Sequence, residues 1–148
     1  MNLQENNTKN TKNTKNTKNT KNPYITQTFI FDEGLFDSFV DITYVITMLG
    51  SPRNEKIIKE IQKFKPTKKV VIVYNGGLKK YNKKLGNKKV EKSNEDLIHA
   101  NKYIFKISRK YENILVLEDD AEFSEEIRNP IHIKNIEQFI KTNEFNTY

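Results

Sequence analysis

The chain contains no cysteine and no tryptophan, only five glycines and four prolines, and no long apolar run. Each absence excludes something. Without cysteine there is no disulfide scaffold, no thiolate zinc site and no thiol nucleophile, so any chemistry must come from oxygen and nitrogen side chains. No apolar stretch approaches the roughly 18 to 20 residues that cross a bilayer, so no transmembrane segment is expected. Arginine is also scarce: 3 Arg stand against 23 Lys. With 19 Asn and 17 Ile in 148 residues, that bias reads as a preference for A- and T-rich codons, and it accounts for part of the formal charge of +7 without invoking a polyanionic partner.

The charge is unevenly distributed. Residues 1–22 carry +4, residues 23–41 carry four acids and no Lys or Arg, and residues 42–148 carry +7. From Asn7 to Asn22 the tripeptide Asn-Thr-Lys is repeated five times without a hydrophobic residue. Such a segment has no apolar area to offset the entropy of ordering, and a disordered tail is expected. It lacks the apolar core of a signal peptide and the Arg-rich amphipathic pattern of a transit peptide, which makes cytoplasmic residence the default. Residues 23–41 form an acidic, aromatic lead-in, with a strand expected around Thr28–Phe31 and a short helical turn around Leu35–Val40.

Regular patterning begins at Ile42. Ile42–Leu49, Val70–Tyr74 and Ile114–Leu117 are short, apolar and rich in β-branched residues, as befits strands buried on both faces of a parallel sheet. Between the first two, Ser51 is placed as a helix N-cap and Pro52 at the first helical position, followed by a stripe of Ile57, Ile58, Ile61 and Phe64 that Pro66 ends. Before the third, Ser93–Asp96 has the form of a capping box, and Leu97, Ala100, Ile104, Ile107 and Tyr111 recur at helical spacing. A last helix is expected near Ile131–Ile140 with Ile133, Ile136 and Ile140 inward, and Phe145–Tyr148 as the opening of another strand. The fold class is α/β: a Rossmann-like, open and mostly parallel sheet.

In such a sheet, ligands bind beyond the carboxyl ends of the strands. After the first run comes Gly50-Ser51-Pro52-Arg53, a helix start bearing a guanidinium, suited to a phosphate. After the second comes Asn75-Gly76-Gly77, a tight turn with a side chain able to hydrogen-bond a base or sugar. After the third come Glu118, Asp119 and Asp120. Consecutive carboxylates at the exit of a buried strand repel one another unless a cation offsets them, and Mn²⁺ or Mg²⁺ suits oxygen ligands. The loop Lys79–Lys92 holds seven Lys and one Glu, with Tyr81 among them, but without an interleaved aromatic series or an Arg cluster it reads as solvated rather than as a nucleic-acid surface. His99 and His132 have no partners that suggest a triad or zinc site.

The order of VITMLGSPRNEKI, VVIVYNGG and SNEDLIHANKYIFKISRKYENILVLEDDAEF resembles the nucleotide-binding half of glycosyltransferases of the lipooligosaccharide-biosynthesis and collagen-galactosyltransferase type. The resemblance spans roughly residues 42–140. It implies a partial GT-A architecture over 42–148, a nucleotide-sugar donor, a glycan or protein acceptor, and a divalent cation, usually manganese, at the acidic motif. By that resemblance Asp120 is the metal ligand, Glu118 and Asp119 contact ribose and nucleotide, and Thr47, Arg53 and Asn75 lie near the nucleotide. Only 28 residues follow Asp120, so the expectation is a truncated or inactive copy, with the missing acceptor half absent or supplied by a partner chain. Two other classes share part of this pattern. A two-component receiver domain also opens on an acidic pair, but 28 residues cannot contain the rest of it. A non-enzymatic binding module, either a decayed transferase half or a weak polyanion binder, is the alternative.

Overall fold

A computed structural model describes residues 22–78 and 81–142. Strand β1 (Tyr24–Ile30) is followed by β2 (Ile42–Met48), helix α1 (Asn54–Phe64) and β3 (Lys69–Asn75). A two-residue ribbon, β4 (Lys84–Leu85) and β5 (Lys88–Lys89), leads to α2 (Ser93–Ile107), β6 (Ile114–Glu118), a 3-10 turn (Glu125–Arg128) and α3 (Pro130–Thr142). The sheet runs β1-β3-β2-β6. The three strands β3, β2 and β6 are parallel, and β1 lies antiparallel along β3. The fold is therefore α/β with a mostly parallel, open sheet, and among the described residues no helix is long and apolar enough to cross a membrane.

The strand periodicity divides the core into two layers. Ile42, Tyr44 and Ile46 of β2, with Val71 and Val73 of β3, face Ala100 and Ile104 of α2. Val45 of β2, with Val70 and Ile72 of β3, faces Ile57 and Ile61 of α1. Because both faces are covered, these strands need no polar side, which is why they read as continuous apolar runs. Two fully buried threonines at this end of the sheet are satisfied: the Thr67 hydroxyl donates to the Lys69 carbonyl (2.8 Å) and lies 2.9 Å from that of Thr43.

The acidic lead-in belongs to this core. The first strand spans Tyr24–Ile30, longer than the expected Thr28–Phe31, and the following turn buries Phe36, Phe39 and Val40. Its acids act as staples. Asp37 accepts from the Gly34 and Lys68 N–H groups at 2.7 and 2.8 Å, and Asp41 from those of Glu112 and Asn113 at 2.8 and 2.9 Å. Gly34 is required by close approach, since a Cβ there would lie 2.3 Å from the Thr67 Cα.

Both helix starts differ from expectation. The first helix begins at Asn54, and Ser51 instead bends the entry, its Oγ accepting the Arg53 N–H at 3.2 Å. Ser93 is the first helical residue rather than the cap; the Glu95 carboxylate reaches back to the N–H groups of Glu91 and Lys92 at 2.9 and 3.3 Å. Those backbone donors, reinforced by Lys88, hold the Glu95 carboxyl at about 2. In α3, Ile133 and Ile140 pack on Phe36, Phe39 and Val40, while Ile136 is 36% exposed. The strand expected at Phe145–Tyr148 and the Asn-Thr-Lys tail up to Lys21 lie outside the described residues.

Candidate functional site

The parallel register determines which strand-end residues meet. Ile46 pairs with Glu118 and Met48 with Asn75, so the next positions along β2 and β6 bring Thr47 beside Asp119. Alternation along the strands then sends Thr47 and Asp119 to the α1 side, and Asn75 to the α2 side. A cleft of about 560 Å³ opens between them, lined by Thr47, Met48, Asn75 to Leu78, Asp96, Glu118 and Asp119. It lies at the carboxyl ends of the strands, where loops and helix starts gather.

On the α1 side, Asp119 is the convergence point. The Thr47 hydroxyl lies 2.8 Å from Asp119 Oδ2 and 2.5 Å from Asn54 Oδ1. The Ser51 hydroxyl is 3.2 Å from the same Asp119 oxygen, and Arg53 Nη1 is 3.3 Å from Oδ1. The Asp119 side chain is 15% exposed, whereas that of Arg53 is 59% exposed. The carboxylate is thus an anchored anion, and the guanidinium beside it retains most of its donors for a ligand.

The α2 side holds a polar cluster that sequence reasoning found only in part. Asn75 is buried; its Oδ1 accepts from the Gly77 N–H at 2.9 Å and from Lys83 Nζ, and its Nδ2 donates to Asp96 Oδ2 at 2.8 Å. Lys83 Nζ also meets Asp96 Oδ1 at 2.5 Å and stands 5.0 Å from the centre of the Tyr24 ring. The Lys83 and Asp96 side chains are 1% and 6% exposed, a buried ion pair with every visible polar atom satisfied. Lys83 is one of seven lysines in the loop, and nothing in the local sequence sets it apart. In the sequence Asp96 reads as part of a helix start. The loop consequently presents less free charge than its composition suggests, because Lys83 is buried and Lys88 is paired with Glu95 at 2.5 Å.

The cluster extends outward through Tyr24, which stacks on Tyr103 with ring centres 4.4 Å apart, its hydroxyl 2.6 Å from His99 Nδ1. Burial, aided by the neighbouring Lys83 and Lys102 charges and opposed by Asp96, holds the His99 imidazole below its ordinary 6.5. The unfolded chain then takes up a proton at a pH where the folded one does not, so stability falls as the pH drops from about 6.5 through the lowered value. Urea unfolding midpoints at a series of pH values will show this slope in the wild type and a flatter one in His99→Gln.

Of the expected site residues, Thr47, Arg53 and Asp119 are brought into one cluster. Asn75 and Glu118 share the cleft, Asn75 bound to Gly77, Lys83 and Asp96, while Asp120 is exposed and does not line it. Among the described residues no three His, Asp or Glu side chains are gathered as a ready metal cage. The donor chemistry nevertheless fits a hard divalent ion, since the acids beside the cleft offer oxygen only and such ions commonly complete their shell with water and substrate phosphates. His132 stands apart, on the rim of a second, smaller hollow beside α3. No protein-family model, curated protein or solved structure matches the chain, so the site is read from its own geometry.

Proposed function

We propose that the cleft binds a nucleotide-sugar donor together with a divalent cation, and that the protein belongs to the glycosyltransferase class in a partial GT-A-like form. The observation that carries this reading is the convergence of Thr47, Ser51 and Arg53 on Asp119 at the carboxyl ends of parallel strands, facing Asn75 across a cleft of nucleotide size. Arg53 and the N–H groups opening α1 suit the diphosphate. Asn75, Gly76 and Gly77 line the wall of the cleft on which a base or ribose would lie.

Asp120 would hold the cation, with phosphate and water oxygens completing its shell, and Glu118 would contact the ribose or nucleotide. Bound there, the metal supplies Lewis-acid stabilisation of charge on a leaving diphosphate. Asp119 keeps the Arg53 guanidinium and the Thr47 hydroxyl aimed at the same end of the cleft, so that positioning rests on the protein's own hydrogen bonds.

Calorimetric titration with UDP and Mn²⁺ tests the reading. Asp120→Ala is expected to abolish the manganese-dependent part of the heat. Arg53→Ala should weaken the complex about tenfold, the effect of one charge-assisted hydrogen bond of about 1.5 kcal/mol. Identical isotherms for wild type and Asp120→Ala remove the metal assignment, and no heat with any nucleoside diphosphate removes the nucleotide.

A further inference from the structure

The outward face of α2 carries a second surface unrelated to the cleft chemistry. Ala100 and Ile104 turn inward and are fully buried. On the opposite side Ile98 and Phe105, two turns apart, are 48% and 55% exposed, and Lys102 lies on the helix between them. Lys106 follows, and Arg109 and Lys110 continue in the turn after the helix, all exposed. From Leu97 to Tyr111 the chain has four cations and no acid.

Elsewhere some exposed lysines of the described residues are matched, while others, among them Lys59, Lys68, Lys84, Lys89 and Lys134, form no ion pair. Lys56 pairs with Glu122, Lys63 with Glu125, Lys88 with Glu95 and Lys141 with Glu137. Among the described residues, Lys102, Lys106, Arg109 and Lys110 form no ion pair with a carboxylate. The helix dipole accounts for positive charge at the last turn. It does not account for two large apolar side chains aimed at water between those charges.

We propose that this face of α2 docks the protein on an anionic lipid surface. The pattern is that of an interfacial helix, in which apolar side chains enter the headgroup boundary while flanking Lys and Arg meet lipid phosphates. Charge complementarity selects an anionic over a zwitterionic surface. Of the pair, Phe105 alone offers a ring on which a base could stack, and Ile98 adds apolar area that a bilayer would take up and a nucleic acid would not. The opposite end of the same argument is geometric: Ser93, Asp96 and Leu97, in the first turns of this helix, line the cleft, so a docked α2 brings the cleft close to the lipid surface.

The experiment is cosedimentation of the full chain with phosphatidylcholine vesicles, with and without phosphatidylglycerol, at low and high salt. The expected result is binding only to the anionic vesicles, weakened by salt. Ile98→Ser with Phe105→Ser should reduce binding about tenfold through loss of apolar insertion, and Lys102→Glu with Arg109→Glu by at least about tenfold through loss of charge attraction. Unchanged circular dichroism keeps both double variants interpretable. Absence of binding to anionic vesicles overturns the proposal. So does binding insensitive to both pairs, which would place the contact on other lysines. Tighter binding to mixed-sequence RNA, lost with the charge pair but not with the apolar pair, overturns it in favour of a nucleic acid.

Discussion

Lys83→Met is expected to destabilise the fold by about 3–5 kcal/mol, the cost of leaving a buried charge without its partner. The Asp96 side chain is 6% exposed and receives Lys83 Nζ at 2.5 Å, with only Asn75 Nδ2 remaining once the ammonium is gone. Methionine fills much of the lysine's volume, so the loss isolates the charge rather than the packing. The double variant Lys83→Met/Asp96→Leu separates the two: removing both charges together is often close to neutral in a buried pair, and it should recover most of the loss. Urea denaturation provides the readout, with the midpoint of the single variant well below those of wild type and double variant. Equal midpoints for wild type and Lys83→Met would show that the pair contributes nothing to the fold.

Asp119→Ala is expected to lower affinity for a nucleoside diphosphate by about 10- to 100-fold, the range set by losing a charge-assisted arrangement of about 1.5–3 kcal/mol. The residue acts by positioning. Its carboxylate holds Thr47, Ser51 and Arg53 at one end of the cleft, and without it the largely exposed guanidinium regains its rotamer freedom. Asp119→Asn is the informative companion. The amide can still accept from Thr47 and Ser51 but has no charge to hold Arg53, so an intermediate affinity is expected. Titration with UDP in the presence of Mn²⁺ measures both, and wild-type affinity in Asp119→Ala would exclude the cluster from the binding site.

How much of this was legible beforehand varies from element to element. The strands at Ile42, Val70 and Ile114 and the α1 stripe of Ile57, Ile61 and Phe64 were readable, because burial on two faces or one stripe leaves a periodic apolar signature. The helix starts differ from those expected by one or two residues. Ser51 and Ser93 are both chemically competent caps, but the chain places them where a turn and a Glu95 contact take over the backbone donors. The lead-in has no clean period because β1 pairs antiparallel along β3 at the sheet edge, where each face is only partly covered, and because acids such as Asp37 and Asp41 in the turn that follows serve distant backbone groups.

The site divides in the same way. Thr47, Arg53, Asn75 and the acidic run could be singled out because strand ends in a parallel sheet are where ligands gather. The register, in contrast, decides that Asp119 is the residue gripped by Thr47 and Arg53 while Asp120 stays exposed. One residue of slip would exchange them.

By itself the sequence determined the α/β class, the positions of the three parallel strands, the absence of thiol chemistry and the location of polar residues at the strand ends. Those properties follow from composition and from periodicities of two and 3.6, which are local. The order β1-β3-β2-β6, the burial of Lys83 against Asp96 and the exposure of Ile98 and Phe105 between unpaired cations were decided only in three dimensions. Each depends on which distant segment covers a side chain. A lysine in a run of lysines, or an isoleucine on a helix, has no feature in one dimension that tells a buried place from an open one.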